Sequence, residues 1–265
     1  MSGFDCHVHV FSADSPVVSG ARYRPAQAAP LDAWQRNLRE NRLRGGVIVQ
    51  VSFLGYDNSQ LVEALRQAGE NYRGIAMADP AGPVEDLEAL AEAGVVGLRW
   101  NLVQNPNLPD PKAEPWKSQI AQMKALGWHL QIQLEGPRLP ALLPALLETG
   151  LTVVVDHLGL PAGNGPAEDE GFRTLLDAAA EERLWVKLSA PYRSQAAADA
   201  GYAKALLEAI GPERLVWGSD WPWTRFEDRH DYAQTLGWLA EWVPDDAARH
   251  QILDLSPRRL YGFKG

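Results

Sequence analysis

Short apolar, β-branched runs alternate with longer amphipathic stretches along the whole chain. The runs predict strands over Phe4–Val10, Gly46–Ser52, Gly74–Ala78, Val96–Trp100, His129–Leu134, Thr152–Asp156, Leu184–Leu188 and Leu215–Gly218. Between them, apolar positions recurring at helical spacing predict helices over 31–44, 59–71, 84–93, 115–126, 137–148, 171–182, 198–210 and 231–242, with a last one over 247–260. Strands that alternate with helices pair in parallel through helical crossovers. Runs such as "GVIVQVS" and "TVVVDH" show little polar alternation, as expected of strands covered on both faces. Eight such units in 265 residues predict an α/β fold, a single-domain (β/α)8 barrel over residues 1–265. No Gly-rich phosphate fingerprint follows the first strand, which weakens a doubly wound nucleotide-binding sheet. The stretches 105–115 and 161–170 read as loops on the carboxyl side of the barrel, where loops shape substrate pockets.

Polar residues that break the apolar pattern fall at one end of these strands. The stretch "FDCHVHVF" puts His7 and His9 two residues apart, so strict strand alternation predicts both on one face, opposite Cys6, Val8 and Val10. Ser52, Arg99, His157, Lys187, Ser189, Arg193 and Asp220 lie at or beyond the ends of later strands, and Gln131 and Gln133 sit in strand five. Each has a plain structural explanation when taken alone: a cap, a surface ion pair, a satisfied core histidine. Three histidines and an aspartate converging on one barrel mouth would form either a metal site or an acid/base site.

Composition narrows the partners. Lys and Arg number 25 against 34 Asp and Glu, a net charge of −9, which offers no long-range attraction to nucleic acid or anionic lipid. One cysteine excludes an internal disulfide framework. Neither a membrane-length apolar run nor a secretory leader is visible, so the expected location is the cytoplasm.

The ordered motifs "DCHVHVF", "VIVQVSFLGYDN", "RGIAMADP", "GLRWNL", "VVDHLG", "LVWGSDWP" and "RLYGF" resemble, nearly end to end, the amidohydrolase superfamily and its lactone-hydrolase branch of pyrone-dicarboxylate and sugar-acid lactonases. The resemblance implies a hydrolase that opens a small anionic or polyhydroxylated lactone, with His7, His9, His157 and Asp220 as the catalytic set. Asp220 would be the general base and the imidazoles would polarise the carbonyl. Arg99 and Arg193 are the candidates to grip a substrate carboxylate, Gln133 offers an amide suited to hydroxyl-rich ligands, and the resemblance adds Tyr23 and Ser52 to the pocket. No cofactor is expected, because strand five offers Gln131 and Gln133, whose amides are poor zinc ligands. If a divalent metal such as zinc or manganese binds, its ligands would be His7, His9, His157 and Asp220. The sequence departs from the pyrone-dicarboxylate pattern at Asn105, where an arginine is expected, at Gln133 for a tyrosine, and at Trp223 for a histidine. Those changes make a monocarboxylate or sugar-acid lactone at least as good a candidate as the dicarboxylated pyrone. Alternatives are a sugar-lactone isomerase, a metal-dependent amidohydrolase or decarboxylase, and an inactive barrel that only binds metabolites.

Overall fold

The computed structural model describes residues 3–264. Eight strands, β1 (Phe4–Val8), β2 (Gly45–Val49), β3 (Tyr72–Ala76), β4 (Val95–Asn101), β5 (His129–Gln133), β6 (Val153–Val155), β7 (Leu184–Leu188) and β8 (Leu215–Trp217), pair in parallel in that order. The seam between the first and last strands closes through a parallel bridge from Val8 to Trp221. Two backbone hydrogen bonds support it: Asp220 N–H to His7 O and His9 N–H to Trp221 O, both 2.9 Å. The chain is a (β/α)8 barrel.

Outside the barrel lie α1 (Leu31–Glu40), α2 (Ser59–Ala68), α3 (Val84–Glu92), α4 (Trp116–Ala125), α5 (Leu139–Glu148), α6 (Glu170–Asp177), α7 (Ala200–Ile210) and α8 (Tyr232–Trp242). Several stop short of their sequence-based limits for local reasons. Helix α1 ends before Arg42, whose φ is +57°, and α2 ends at Gly69, φ +92°. The last predicted helix is interrupted. Short α9 (Asp246–His250) and α10 (Ser256–Tyr261) flank a π turn over Gln251–Leu255. Pro257, near the start of α10, lacks the N–H that a regular ladder needs there.

Two apolar clusters hold the barrel. The larger lies largely between strands and helices. The smaller plugs the barrel foot with Phe4, Cys6, Val47, Val154, Tyr261 and Phe263, where the Phe4 and Phe263 rings stack 4.0 Å apart. Cys6 therefore packs inside the barrel, although strict alternation puts it opposite His7. The pairing of β1 with β2 slips between Asp5 and Val8, and the slip lets neighbouring residues share the interior.

A buried carboxylate pins the seam. Asp5 accepts hydrogen bonds from Ser219 Oγ and Tyr232 OH (both 2.6 Å), Ser219 N (2.9 Å), His7 N (3.2 Å) and Trp34 Nε1 (3.3 Å). This ties β1 to α1, α8 and the turn carrying Asp220. Gly218 is required in the same seam, since a Cβ there would lie 2.5 Å from His7 Cβ.

Candidate active site

Strand ends deliver the chemistry-bearing side chains to one place. His7 comes from β1, His9 from just beyond it, His157 from the turn after β6, and Asp220 from the turn after β8. The His7 ring centroid lies 5.1 Å from that of His9 and 4.7 Å from that of His157. Asp220 Oδ1 faces all three, at 3.7 Å from His7 Nε2 and 3.9 Å from both His9 Nε2 and His157 Nε2. All four side chains are buried. Backbone strain collects around them: of nine described non-glycine residues with positive φ, all but Arg42 follow β4, β6, β7 or β8 on the mouth side, His157 and Asp220 among them. Strain of about 1–3 kcal/mol per residue persists where the surroundings enforce it, commonly at working sites.

Hydrogen bonds fix much of the orientation. His9 Nδ1 lies 2.8 Å from Val49 O. A carbonyl can only accept, so Nδ1 carries the proton and Nε2 presents a lone pair. Lys187, fully buried on β7, donates to Gln131 Oε1 at 2.7 Å and lies 3.1 Å from His7 Nδ1. It also stands 3.3 Å from Asp156 Oδ1, a charge contact without hydrogen-bond geometry. An ammonium carries only donors, so in this contact, shorter than the 3.5 Å from His7 Nδ1 to Asp156 Oδ1, His7 Nδ1 accepts and the ring proton is on Nε2, facing Asp220. His157 Nδ1 pairs with Ser189 Oγ at 2.8 Å.

Charges are matched pair by pair. Asp220 Oδ2 accepts from Tyr192 OH (2.5 Å) and Arg193 Nε (2.6 Å). Burial alone would raise its pKa, but Arg193 and the imidazoles outweigh it and hold the carboxyl far below the usual range. Asp156 Oδ2 accepts from Arg99 Nε at 3.0 Å, and Lys187, His7 and Arg99 likewise keep Asp156 ionised against its burial. Burial keeps the imidazoles neutral: His9 is lowered to about 4, His157 and His129 to about 3, and His7 well below its ordinary value.

These neutral histidines predict acid sensitivity. Their folded pKa values lie below the unfolded value of about 6.5, so the unfolded chain binds more protons on acidification. The stability they confer is complete above pH 6.5 and is lost as pH falls towards 4 and then 3. Each contributes a slope of about 1.4 kcal/mol per pH unit in that window. Calorimetry of chelator-treated protein should show a melting temperature that drops steadily from pH 6.5 to 4.5. A flat profile would contradict neutral burial.

Above the cluster opens a pocket of about 210 Å³, lined by His9, Arg22, Tyr23, Val51, Ser52, Phe53, Arg99, Asn101, Val103, Gln133, Leu160, Arg193, Thr224, Arg225 and Phe226. The sequence-predicted Tyr23, Ser52, Arg99, Gln133 and Arg193 are all in this wall. Arg99 and Arg193 are the carboxylate partners just described, and their remaining bonds go to Gln133 Oε1 (2.7 Å) and Thr224 Oγ1 (3.1 Å). Tyr23 OH donates to Glu227. Asn105 and Trp223 lie outside the wall: the Asn105 carbonyl accepts from Arg138, and Trp223 fills buried space with its Nε1 donating to Ser219 O. The long loops after β4 and β6 contribute little, only Val103 and Leu160 near their starts. The segments 22–23, 51–53 and 224–226 form most of the wall instead. Asp5, Asp156, Tyr192, Arg22 and Arg225 went unassigned from sequence; Asp156 was visible only as the residue before His157.

An amidohydrolase family model matches residues 4–263. The chain belongs to that family. This amidohydrolase is 30% identical over 276 residues to the 2-pyrone-4,6-dicarboxylate hydrolase of Comamonas testosteroni, covering 97% of the chain and 89% of that protein. It is 26% identical over 273 residues to the D-galactarolactone isomerase of Agrobacterium fabrum, covering 97% of the chain and 90% of the relative. A solved structure from Acinetobacter baumannii, described as a probable 2-pyrone-4,6-dicarboxylic acid hydrolase with citric acid bound, superposes with a TM-score of 0.93. That structure shares 30% identity and covers 99% of this chain and 100% of its own. Amidohydrolases often hold a metal, and two groups here, His7/His9/Asp220 and His7/Asp156/His157, bring ligand atoms within 4.8 Å of one another. His7 Nε2, His157 Nε2, Asp156 Oδ1 and Asp220 Oδ1 are buried without a hydrogen-bond partner. Among the described residues, no helix is long and apolar enough to cross a membrane.

Proposed function

We propose that this amidohydrolase opens a small anionic lactone by adding water, using Asp220, His7, His9 and His157 and no metal. One observation carries the proposal: the unpartnered Asp220 Oδ1 faces three imidazole Nε2 atoms beneath a pocket lined by four arginines and no carboxylate. Asp220 Oδ1 and His9 Nε2 are both acceptors, 3.9 Å apart. A water between them points both protons at the protein and a lone pair at the substrate. His7 Nε2–H, held in that tautomer by Lys187, donates to the lactone carbonyl oxygen as it gains charge. As the water oxygen bonds to the carbonyl carbon, its proton passes to Asp220. The ring C–O bond then breaks and the proton on Asp220 is returned to the leaving oxygen, giving a free hydroxyl or enol and a carboxylic acid, which releases the second water proton to solvent to become the carboxylate.

The donor set supports the metal-free form. A proton on His7 Nε2 removes one of the four candidate ligand atoms, and Lys187, Arg99 and Arg193 already neutralise Asp156 and Asp220. A divalent ion would add uncompensated positive charge to a buried site. These residues, so protonated, do not fit it.

A pH-indicator assay tests the proposal with chelator-treated protein on pyrone carboxylates and sugar-acid lactones. Proton release without added metal is the expected result. Turnover abolished by chelation and restored by zinc or manganese would overturn the metal-free site. In ¹⁸O-labelled water the product carboxylate should gain one label. Conversion without incorporation would instead indicate isomerisation, in which a hydroxyl of the substrate takes the place of water.

A further inference from the structure

We propose that Arg22 and Arg225 form an anion-binding subsite at the outer rim of the pocket, which takes a second oxyanion group of the substrate, a carboxylate or sulfonate remote from the reacting carbonyl. The inference rests on the lactone-opening proposal and names a property of its substrate. Four arginines line the pocket, but they are not equivalent. Arg99 and Arg193, the inner pair, are each bonded to a buried carboxylate, Asp156 and Asp220 respectively. Both are held in ion pairs inside the protein. Arg22 and Arg225 are exposed at the rim. Arg22 donates from Nη2 to the neutral Asn101 Oδ1 at 2.8 Å, which steadies the guanidinium and leaves its charge unmatched. Arg225 makes no hydrogen bond or ion pair with any described residue, and its φ of +77° is strained backbone for a side chain of this size.

Nearby carboxylates are engaged elsewhere. Glu135 accepts from Arg138 (3.0 Å) and the Gln104 amide (2.7 Å), and Glu227 accepts from Tyr23. Burial and then the charges of Arg99 and Arg225 depress the Arg22 pKa, and Glu135, already engaged by Arg138, offsets them only in part. A chain of net charge −9 repels anions at a distance, so two unmatched guanidinium forks at the mouth supply local capture and bidentate orientation. The sequence lacks the arginine expected at Asn105. The structure brings cations to the same pocket from two other loops.

The test compares wild type with R22Q and R225Q on 2-pyrone-4,6-dicarboxylate and on 2-pyrone-6-carboxylate. Each substitution should reduce the kcat/KM preference for the dicarboxylate by about tenfold, the worth of one charge-assisted contact. Calorimetry with tricarballylate at low salt supplies a readout independent of turnover, and each variant should bind it about tenfold more weakly. Tricarballylate binding that needs both arginines, with no lactone opened, would sustain the subsite and refute the lactone-opening proposal. Lactones opened by all three proteins, with unchanged preference and unchanged tricarballylate affinity in either variant, would overturn the subsite.

Discussion

Asp220→Asn should lower kcat for lactone opening by about 10²–10⁴-fold, the span that removal of a positioned general base produces. The barrel should survive, because Asp5 rather than Asp220 ties the seam to α1 and α8. Circular dichroism checks the fold and steady-state kinetics check the loss. The pH profile carries a second expectation. With Arg193 holding Asp220 ionised far below the ordinary carboxylate range, the acid limb of wild-type kcat should belong to His9 and not to Asp220. It should fall near pH 4, where His9 takes up a proton and loses the lone pair that orients water. Near-normal turnover by the asparagine variant would sink the assignment of Asp220 as base.

Lys187→Met should be damaging in two separable ways. Methionine fills a similar volume but leaves Asp156 with one fewer buried cation, and breaking a buried pair costs about 3–5 kcal/mol. Arg99 still bonds Asp156 Oδ2, which points to the lower end of that range. Chemical denaturation measures it. Loss of the ammonium also frees His7 Nδ1 to carry the proton, which removes the Nε2–H that donates to the developing oxyanion. Turnover should fall by about 10²-fold, the effect of losing one such donor. Nitrogen-15 NMR of the imidazoles separates the two effects: wild-type His7 should be the Nε2–H tautomer, and the variant should shift towards Nδ1–H. An unshifted His7 with reduced stability would leave Lys187 a structural residue only.

The barrel was legible because its strands are buried on both faces and so appear as compact runs such as "TVVVDH" between amphipathic stretches. The gathering of His7, His9, His157 and Asp220 was legible for a related reason. Each stands where an apolar run ends, and parallel strands bring their carboxyl ends together. Pair identity was not. Nothing local says that Arg193 belongs to Asp220, or that Lys187 reaches across the barrel to His7 and Gln131, 180 and 56 residues away in sequence. Arg22 and Arg225 were hidden for another reason. They lie in irregular segments, where no periodicity reports which way a side chain faces. Strand alternation itself failed at Cys6, where the slip between Asp5 and Val8 overrides it.

The seam between β1 and β8 also has a bearing on how this protein is made. His7 and His9 leave the ribosome more than two hundred residues before Ser219 and Asp220, which must sit against them. Until then Asp5 lacks its Ser219 and Tyr232 partners, and the foot lacks Tyr261 and Phe263. A nascent chain halted before residue 215 would carry an open sheet with bare edges, prone to sticking to its neighbours. Catalytic competence would thus arrive all at once when Asp220 is made, and translation stalled between His157 and Ser219 should yield aggregate instead of a partly active enzyme.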